Sequence, residues 1–535
     1  MKPPCDDAVI ESQSATSPCR GAQVIWILAA TILGSSMAFI DGTVVNVALP
    51  ALQNAFGASV VGVQWVIEAY GLTLAALLLV GGSMGDLFGR RRIFLLGIVL
   101  FAAASAYCGL APTLRHLIAA RAVQGIGAAF LVPGSLALIS ASFDASSRGR
   151  AIGTWSGSTA ITTAIGPVLG GWLIEHLSWR WVFFINLPLA LAVIVISLWQ
   201  VPESRSSRRG RVDWLGASAA TFSLTALTFG LIESSRLGWR NPSVVAALVA
   251  GALGLLAFLR VESKGASPMV PLTLFRSRAF AGANLLTIFL YAAIGIFFFV
   301  FPLDLIQVQG YSATAAGAAV LPLILLMFSL SRWSGGLVAR YGARVPLIIG
   351  PVIAALGFLL FSVPSVGGNY WSTFFAAVVT LGLGMAVSVA PLTTVVMDSV
   401  DQDLVGTASG INNAVSRVAG VLAVAGLGAA MVASFSNHLN RRLSDVALPN
   451  DVRAELQANE IKMAALRPPA GVEPGNATVI RDSIVASFVS SFRLMMWICA
   501  ALALISAAIG GRMIPGGAMA QERMAARPKD ALTGY

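Results

Sequence analysis

Gly82-Ser83-Met84-Gly85-Asp86-Leu87-Phe88-Gly89-Arg90-Arg91 is a glycine-rich turn between two long apolar runs. It returns later in the chain as Gly335-Gly336-Leu337-Val338-Ala339-Arg340-Tyr341-Gly342-Ala343-Arg344. Gly82 matches Gly335 and Gly89 matches Gly342. A second pair, Gly153-Thr154-Trp155-Ser156-Gly157 and Gly406-Thr407-Ala408-Ser409-Gly410, repeats at the same offset of 253 residues. Two matches at one offset predict a duplicated unit. The surrounding apolar runs make that unit six membrane spans, with two more spans inserted between the copies. Transporters built from two such halves bind their cargo at the midplane and rock around it.

Composition agrees with a membrane solvent. Of 535 residues, 57% are hydrophobic and 11% charged, with a mean hydropathy of +0.80; soluble domains carry about 25% charged residues. A crossing helix needs about 20 apolar residues. Runs of that kind fall near 25–47, 61–82, 92–111, 117–141, 151–173, 181–200, 214–233, 243–259, 280–304, 313–335, 345–365, 371–395, 405–433 and 485–510. The expected class is therefore an all-α polytopic membrane protein of about 14 transmembrane helices. Its expected parts are a cytoplasmic tail 1–24, a six-helix bundle 25–200, a cytoplasmic loop 201–213 and two inserted helices 214–260. A cytoplasmic loop 261–279, a second six-helix bundle 280–513 with a long outer loop 434–484, and a cytoplasmic tail 514–535 follow.

The net charge of +11 reflects topology rather than nucleic-acid binding. Arg90, Arg91, Arg92, Arg148, Arg150, Arg205, Arg208, Arg209, Arg211, Arg260, Lys264, Arg276, Arg278, Arg340 and Arg344 fall in loops on one side; only Arg115, Arg180, Arg236 and Arg240 fall in the short loops opposite. Fifteen against four places both termini in the cytoplasm, against one acidic loop with Asp398, Asp401 and Asp403. The tail 1–24, with Lys2 and Arg20, lacks the apolar core of a cleaved signal, so the first helix is expected to remain as a span. In the outer loop, Asn476-Ala477-Thr478 is a sequon that matters only in a glycosylating host. Arg523, Arg527 and Lys529 mark a polar C-terminal tail.

Four stretches, in this order and spacing, resemble the major facilitator superfamily, and in detail its fourteen-span drug:proton antiporter branch (the QacA/EmrB type). They are Asp41-Gly42-Thr43-Val44-Val45-Asn46-Val47-Ala48-Leu49-Pro50, Gly82 to Arg92, Arg121-Ala122-Val123-Gln124-Gly125-Ile126-Gly127, and Gly157 through Gly166-Pro167-Val168-Leu169-Gly170-Gly171. The resemblance covers roughly residues 25–515. It implies that Gly82, Asp86, Gly89, Arg90 and Arg91 form a conformational latch at helix ends. The alternative is that the arginines only set topology. The second copy has Ala339 where Asp86 would be, so the latch is expected on one side only. The span-five residues Gly157, Gly166, Pro167, Gly170 and Gly171, with Gly153, make a nearly smooth face. The resemblance implies a gasket between the halves that closes the inward leak path; the chemistry alone allows ordinary tight packing equally.

Charges inside spans cost at least ~2.5 kcal/mol and line pathways or pair. Asp41, Glu68 and Arg121 are accordingly the candidates for proton coupling. Asp41 and Glu68 are expected at a common depth, each raising the other's proton affinity, with Arg121 modulating Asp41 and Gln124 on the same face as Arg121. The alternatives are a helix-capping Asp41 with a static Arg121 pair, and a Glu68 that attracts cationic substrate. Candidate cavity residues are Asn46, Gln124, Tyr70, Tyr291, Asn412, Asn413 and Arg417; for the last three, helix bridging is an equal alternative. For Tyr70 and Tyr291, as for the Phe297-Phe298-Phe299 run, a lipid-facing or packing role is the readier reading. Trp179-Arg180-Trp181-Val182-Phe183-Phe184 reads as an interface belt, with Asn186 and Pro188 following.

There is no Walker A stretch and no His-Glu-x-x-His, and His116, His176 and His438 lie outside the membrane core. Cys5, Cys19, Cys108 and Cys499 are scattered, so neither a disulfide framework nor a metal site is expected. No enzyme activity and no cofactor is expected. The expected function is export of small amphipathic or cationic drug-like compounds in exchange for protons, across the cell (inner) membrane. The alternative is export of an endogenous metabolite such as a siderophore or antibiotic. Expected partners are the substrate, protons and the lipid bilayer; a periplasmic adaptor protein is kept as a candidate.

Overall fold

The computed structural model describes residues 22–143, 145–205, 212–265, 268–400, 404–444, 446 and 448–515. Lys2, Cys5, Cys19, Arg20, Arg208, Arg209, Arg211, Asp401, Asp403, Arg523, Arg527 and Lys529 lie outside the described residues, as do the side chains of Arg148, Arg150 and Ala339.

The described chain forms helices joined by short turns. The first half comprises α1 (Ala22–Phe56), α2 (Val60–Phe88), α3 (Arg90–Leu110), α4 (Leu114–Ser142), α5 (Ala145–His176) and α6 (Asn186–Gln200), the last preceded by one turn at Trp181–Phe184. The inserted pair is α7 (Trp214–Leu237) and α8 (Pro242–Lys264). The second half comprises α9 (Arg278–Leu303), α10 in two pieces (Ala313–Ala319 and Leu321–Tyr341), α11 (Pro346–Phe361), α12 (Phe375–Asp398), α13 (Val405–Leu443) and α14 (Pro474–Met513). Thirteen of these segments are long and apolar enough to cross a membrane. The fourteenth, α11, has 16 residues and spans about 24 Å. This even number returns the chain to its starting side.

Local chemistry sets the helix starts and stops. Ser59, Thr113, Asp213 and Ser277 accept from backbone N–H groups in the first turns of α2, α4, α7 and α9, and such caps satisfy donors that have no partner within the helix. Gly89 and Gly342, the matched glycines of the repeat, end α2 and α10 at φ values of 109° and 73°. Their N–H groups donate to Gly85 O and Val338 O, so the duplication extends to the cap geometry.

The helices run further than hydropathy suggests. α13 has 39 residues and α14 has 40, each about 60 Å long at 1.5 Å per residue, twice the hydrocarbon thickness. Much of 434–484 is therefore helix. Between α13 and α14 a short helix (Asn450–Asn459) and a 3-10 stretch (Glu460–Ala465) form a cap whose Leu456, Met463 and Leu466 are buried.

The core is organised by depth. Hereafter the inner end is the one carrying the α2–α3 connection, expected to be cytoplasmic; the other is the outer end. At the outer end, residues of the first half such as Val44, Leu52, Val63, Leu117 and Phe183 belong to one continuous apolar core with the second half. At the inner end the first half has a core of its own, with Ile27, Phe94, Phe101, Leu131 and Val193. The second half is centred on Phe297, Phe301, Phe358, Phe361 and Phe374 in mutual ring contact. The inserted helix α7 packs on α2 and α13 together, through a cluster of Val61, Ile232 and Ala425.

Candidate functional site

The first half buries a charged cluster in its centre. Asp41 is 0% exposed and Arg121 1%. α1 continues to Phe56, past the expected end near 47, so Asp41 sits close to the helix midpoint rather than near its outer end. Arg121 of α4 reaches it because α4 and α2 are in backbone contact: a Cβ on Gly125 would lie 2.5 Å from Tyr70 O. Arg121 Nη1 donates to Asp41 Oδ2 and to Gln124 Oε1 at 2.8 Å, while its Nε donates to Val66 O at 3.1 Å. Gln124 Nε2 donates to Asp41 Oδ1 at 2.9 Å, and Asn186 Nδ2 approaches the same oxygen at 3.5 Å. Asn186 is itself held by Ser105 Oγ at 3.0 Å, and Ser105 donates to Phe183 O. The Tyr70 ring lies under the Arg121 guanidinium, with Cζ 4.2 Å from its centroid. Five helices thus converge on one carboxylate, which is how a buried charge is made tolerable.

Glu68 belongs elsewhere. Val66 and Tyr70 of α2 face Arg121, whereas Gln64 and Gly71 face α13: Gln64 Nε2 donates to Val424 O at 2.7 Å, and a Cβ on Gly71 would touch Val421. Glu68 lies on that second stripe, 1% exposed, with Oε2 lacking a hydrogen-bond partner. It shares the depth of the ion pair but points away from it, so the expected mutual repulsion with Asp41 is not built.

The smooth face of α5 is used in full at the outer end. Cβ atoms on Gly166 and Gly170 would strike Thr43 and Val44 of α1. A Cβ on Gly171 would lie 2.4 Å from Ala313 O, and one on Gly317 would lie 2.1 Å from Pro167 O, so α5 and α10 meet backbone to backbone. Glu175 accepts from Thr314 N and Thr314 Oγ1, each at 2.7 Å, and Gln307 donates to Gln53 at 2.7 Å. Toward the inner end α5 and α10 approach less closely: a Cβ on Gly157 would meet Phe328 at 3.4 Å, and Gly153, Gly335 and Gly336 have open space. There α2 and α13 still touch, a Cβ on Gly410 lying 3.2 Å from Leu79. The contacts around Pro167 therefore hold the two halves together at the outer end.

At the inner end, Arg90 Nη2 and Nε donate to Asp86 Oδ1 at 2.8 and 2.9 Å, a pair within one half. A residue missed by sequence reasoning, Glu203, completes the arrangement. It accepts from the backbone N–H groups of Arg91 and Arg92 at 3.0 and 3.2 Å and lies 2.8 Å from where a Gly89 Cβ would stand. Arg91 Nη1 donates to Val201 O. The signal available was an acid, in Pro202-Glu203-Ser204-Arg205, within an otherwise basic loop. Ser105 and Gln64 were missed too, as single polar residues in apolar runs.

The remaining candidates divide. Asn46 bonds its own helix at Gly42 O, and Gly42 has open space. Asn412 bridges helices, donating to Asn284 and Thr287 of α9 at 3.2 and 2.8 Å. Asn413 is exposed and bonds Ser409 O. Phe297 and Phe299 pack in the core. Trp181 is 47% exposed, and Trp179 packs on Phe56, as a belt requires.

Two helical halves held backbone to backbone at their outer ends, with a buried ion pair in one of them, define a two-halved polytopic membrane transporter. The chain belongs to the Major Facilitator Superfamily, whose family model matches residues 31–424. It is 35% identical, over 91% of each chain, to the multidrug resistance protein Stp of Mycobacterium tuberculosis. It is 33% identical, over 90% of each, to the tetracenomycin C resistance and export protein of Streptomyces glaucescens. Among solved structures, a bacterial homologue of the lysosomal transporter Spinster superposes with a TM-score of 0.63 over 93% of this chain and 100% of that one, at 16% identity. A D-xylose–proton symporter superposes at 0.59 over 92% and 98%, at 14% identity; at such identities the likeness concerns the fold.

Proposed function

We propose that this transporter exports small amphipathic or cationic drug-like compounds across the cell membrane in exchange for protons, with Asp41 as the proton-binding group. Residues 25–200 and 280–513 act as the rocking halves, and 214–260 as an inserted pair. The observation that carries the reading is the Asp41–Arg121 pair. A carboxylate buried in a membrane protein with a single cationic partner has two discrete states: ionised and paired, or protonated and released. Protonation cancels the charge that holds Arg121 and frees Gln124 and Asn186, which changes the contacts among α1, α4 and α6. The intact pair, with the outer end closed, corresponds to the state after proton release to the inside. A proton entering down 100 mV supplies about 2.3 kcal/mol, enough to drive export without ATP.

A second reading, export of a compound the cell itself makes, is favoured by relatives named as a tetracenomycin C export protein and as a probable actinorhodin transporter. One assay addresses both. The protein is reconstituted in liposomes under an imposed pH gradient, with lipophilic cations, dyes and antibiotics offered to wild type, Asp41→Asn and Arg121→Ala. Gradient-driven movement lost in both variants supports proton antiport. Movement indifferent to the gradient, or surviving both changes, removes it.

A further inference from the structure

Arg417 is the second arginine buried toward the centre of the molecule, and its surroundings differ from those of Arg121. On α13, Asn412 is tied to Thr287 of α9 one turn toward the inner end. Gly420 meets α9 one turn toward the outer end, where a Cβ on Gly295 would lie 2.9 Å from Gly420 Cα. These contacts bracket Arg417 on α13 and Tyr291 on α9 at one level. Across the seam, α2 of the other half runs beside α13, with Gly71 facing Val421 on the outer side of Arg417 and Leu79 facing Gly410 on its inner side. Tyr70 is committed within the first half, its ring under Arg121 and its hydroxyl donating to Ala38 O at 3.3 Å, which leaves Tyr291 as the aromatic neighbour of Arg417. Arg417 is half-buried, and among the described residues its guanidinium makes neither an ion pair nor a hydrogen bond. Glu68, on the α2 stripe facing α13, does not pair with it. The Tyr291 hydroxyl likewise makes no hydrogen bond among the described residues.

An arginine in a span costs at least ~2.5 kcal/mol, and here no protein carboxylate offsets it. The site lies on the seam between the halves and carries one uncompensated positive charge, because Asp41 and Arg121 neutralise each other. A guanidinium presents a planar fork that matches a carboxylate in bidentate fashion. Tyr291 beside it supplies a flat apolar wall and a hydroxyl donor. We propose that Arg417, beside Tyr291 on the seam between the halves, is the recognition site for the carboxylate of a planar aromatic substrate. The inference rests on the export reading, and within it selects acidic amphipaths over cationic ones.

The test is equilibrium binding to the full chain in phosphatidylcholine nanodiscs, free of net-anionic lipid, with three fluorescent probes of one shape. These are 9-anthracenecarboxylate, the neutral 9-anthracenecarboxamide and the cationic 9-anthracenylmethylammonium. Wild type is expected to bind the carboxylate about tenfold or more tighter than the amide, the scale of one charge-assisted hydrogen bond. Arg417→Gln is expected to erase that preference while leaving amide binding unchanged, and Arg417→Lys to retain part of it. Equal binding of carboxylate and amide, no binding of the carboxylate, or a variant that weakens all three probes alike overturns the proposal. No pH gradient enters this assay. Failure here leaves proton antiport standing, and failure of gradient-driven transport leaves a measured carboxylate preference standing.

Discussion

The carboxylate of Glu175, at the end of α5, accepts from both the backbone N–H and the hydroxyl of Thr314 in the first turn of α10, so one acid of the first half caps a helix of the second. An acid at a helix N-terminus contributes on the order of 0.3–1 kcal/mol when exposed. This contact exists only while the outer end is closed. Glu175→Gln is therefore expected to shift the population toward the outward-open state by up to about fivefold. Spin-label distances across the outer ends of α5 and α10 would record it; an unchanged distribution would show that backbone packing alone sets the gate.

That backbone packing gives a sharper expectation. A side chain on Gly171 has no room against Ala313 O, whereas Gly406 has open space around it. Gly171→Leu is expected to prevent outer closure and abolish transport, with labelling of an outer-end cysteine increased and thermal unfolding little altered. Gly406→Ala should transport normally. Transport by Gly171→Leu at the wild-type rate would mean that the two helices separate at Gly171 without consequence.

Glu203 organises the inner end in the same manner. It is a single carboxylate receiving two backbone N–H groups at the start of α3, with Arg92 Nε 3.6 Å from it. Glu203→Ala leaves those donors without their acceptor, at a cost of about 1–2 kcal/mol typical of a lost cap. A lower unfolding temperature is expected in detergent, together with faster proteolysis of the α2–α3 turn. Glu203→Gln, which keeps an acceptor oxygen, should lose about half as much. Equal stability of all three proteins would assign the cap no energetic role.

How far the sequence carries depends on the kind of contact. Asp41 and Arg121 were legible because a charge inside an apolar run needs a partner. Gly89 and Gly342 were legible because a turn at positive φ favours glycine. Glu203 was not, since the N–H groups it serves lie 112 and 111 residues earlier. The direction of Glu68 was not either, because helical periodicity sorts α2 into faces without saying which neighbour each face meets. The length of α13 and α14 escaped for another reason: beyond the hydrocarbon a helix no longer has to be apolar, so hydropathy stops marking it while its hydrogen bonds continue.

The Asp41–Arg121 pair yields the last expectation, which separates stability from coupling. Removing one partner of a buried pair costs about 3–5 kcal/mol, because the other charge is left uncompensated, whereas replacing both is often close to neutral. Either single change should therefore destabilise, Asp41→Asn the more strongly, since it leaves a buried guanidinium that cannot shed its charge, whereas Arg121→Gln leaves a carboxyl that can take up a proton. The double variant Asp41→Asn, Arg121→Gln should recover most of the lost stability in a thermal melt, since no unpaired charge remains. It should not recover gradient-driven transport, because the carboxyl that takes up and releases the proton in this reading is gone. Recovery of both would reduce the pair to a structural bridge and move the proton site elsewhere, with Glu68 as the next buried carboxyl to examine. Recovery of neither would mean that Asp41, Arg121, Gln124 and Asn186 act as one hydrogen-bonded unit whose members cannot be exchanged pairwise.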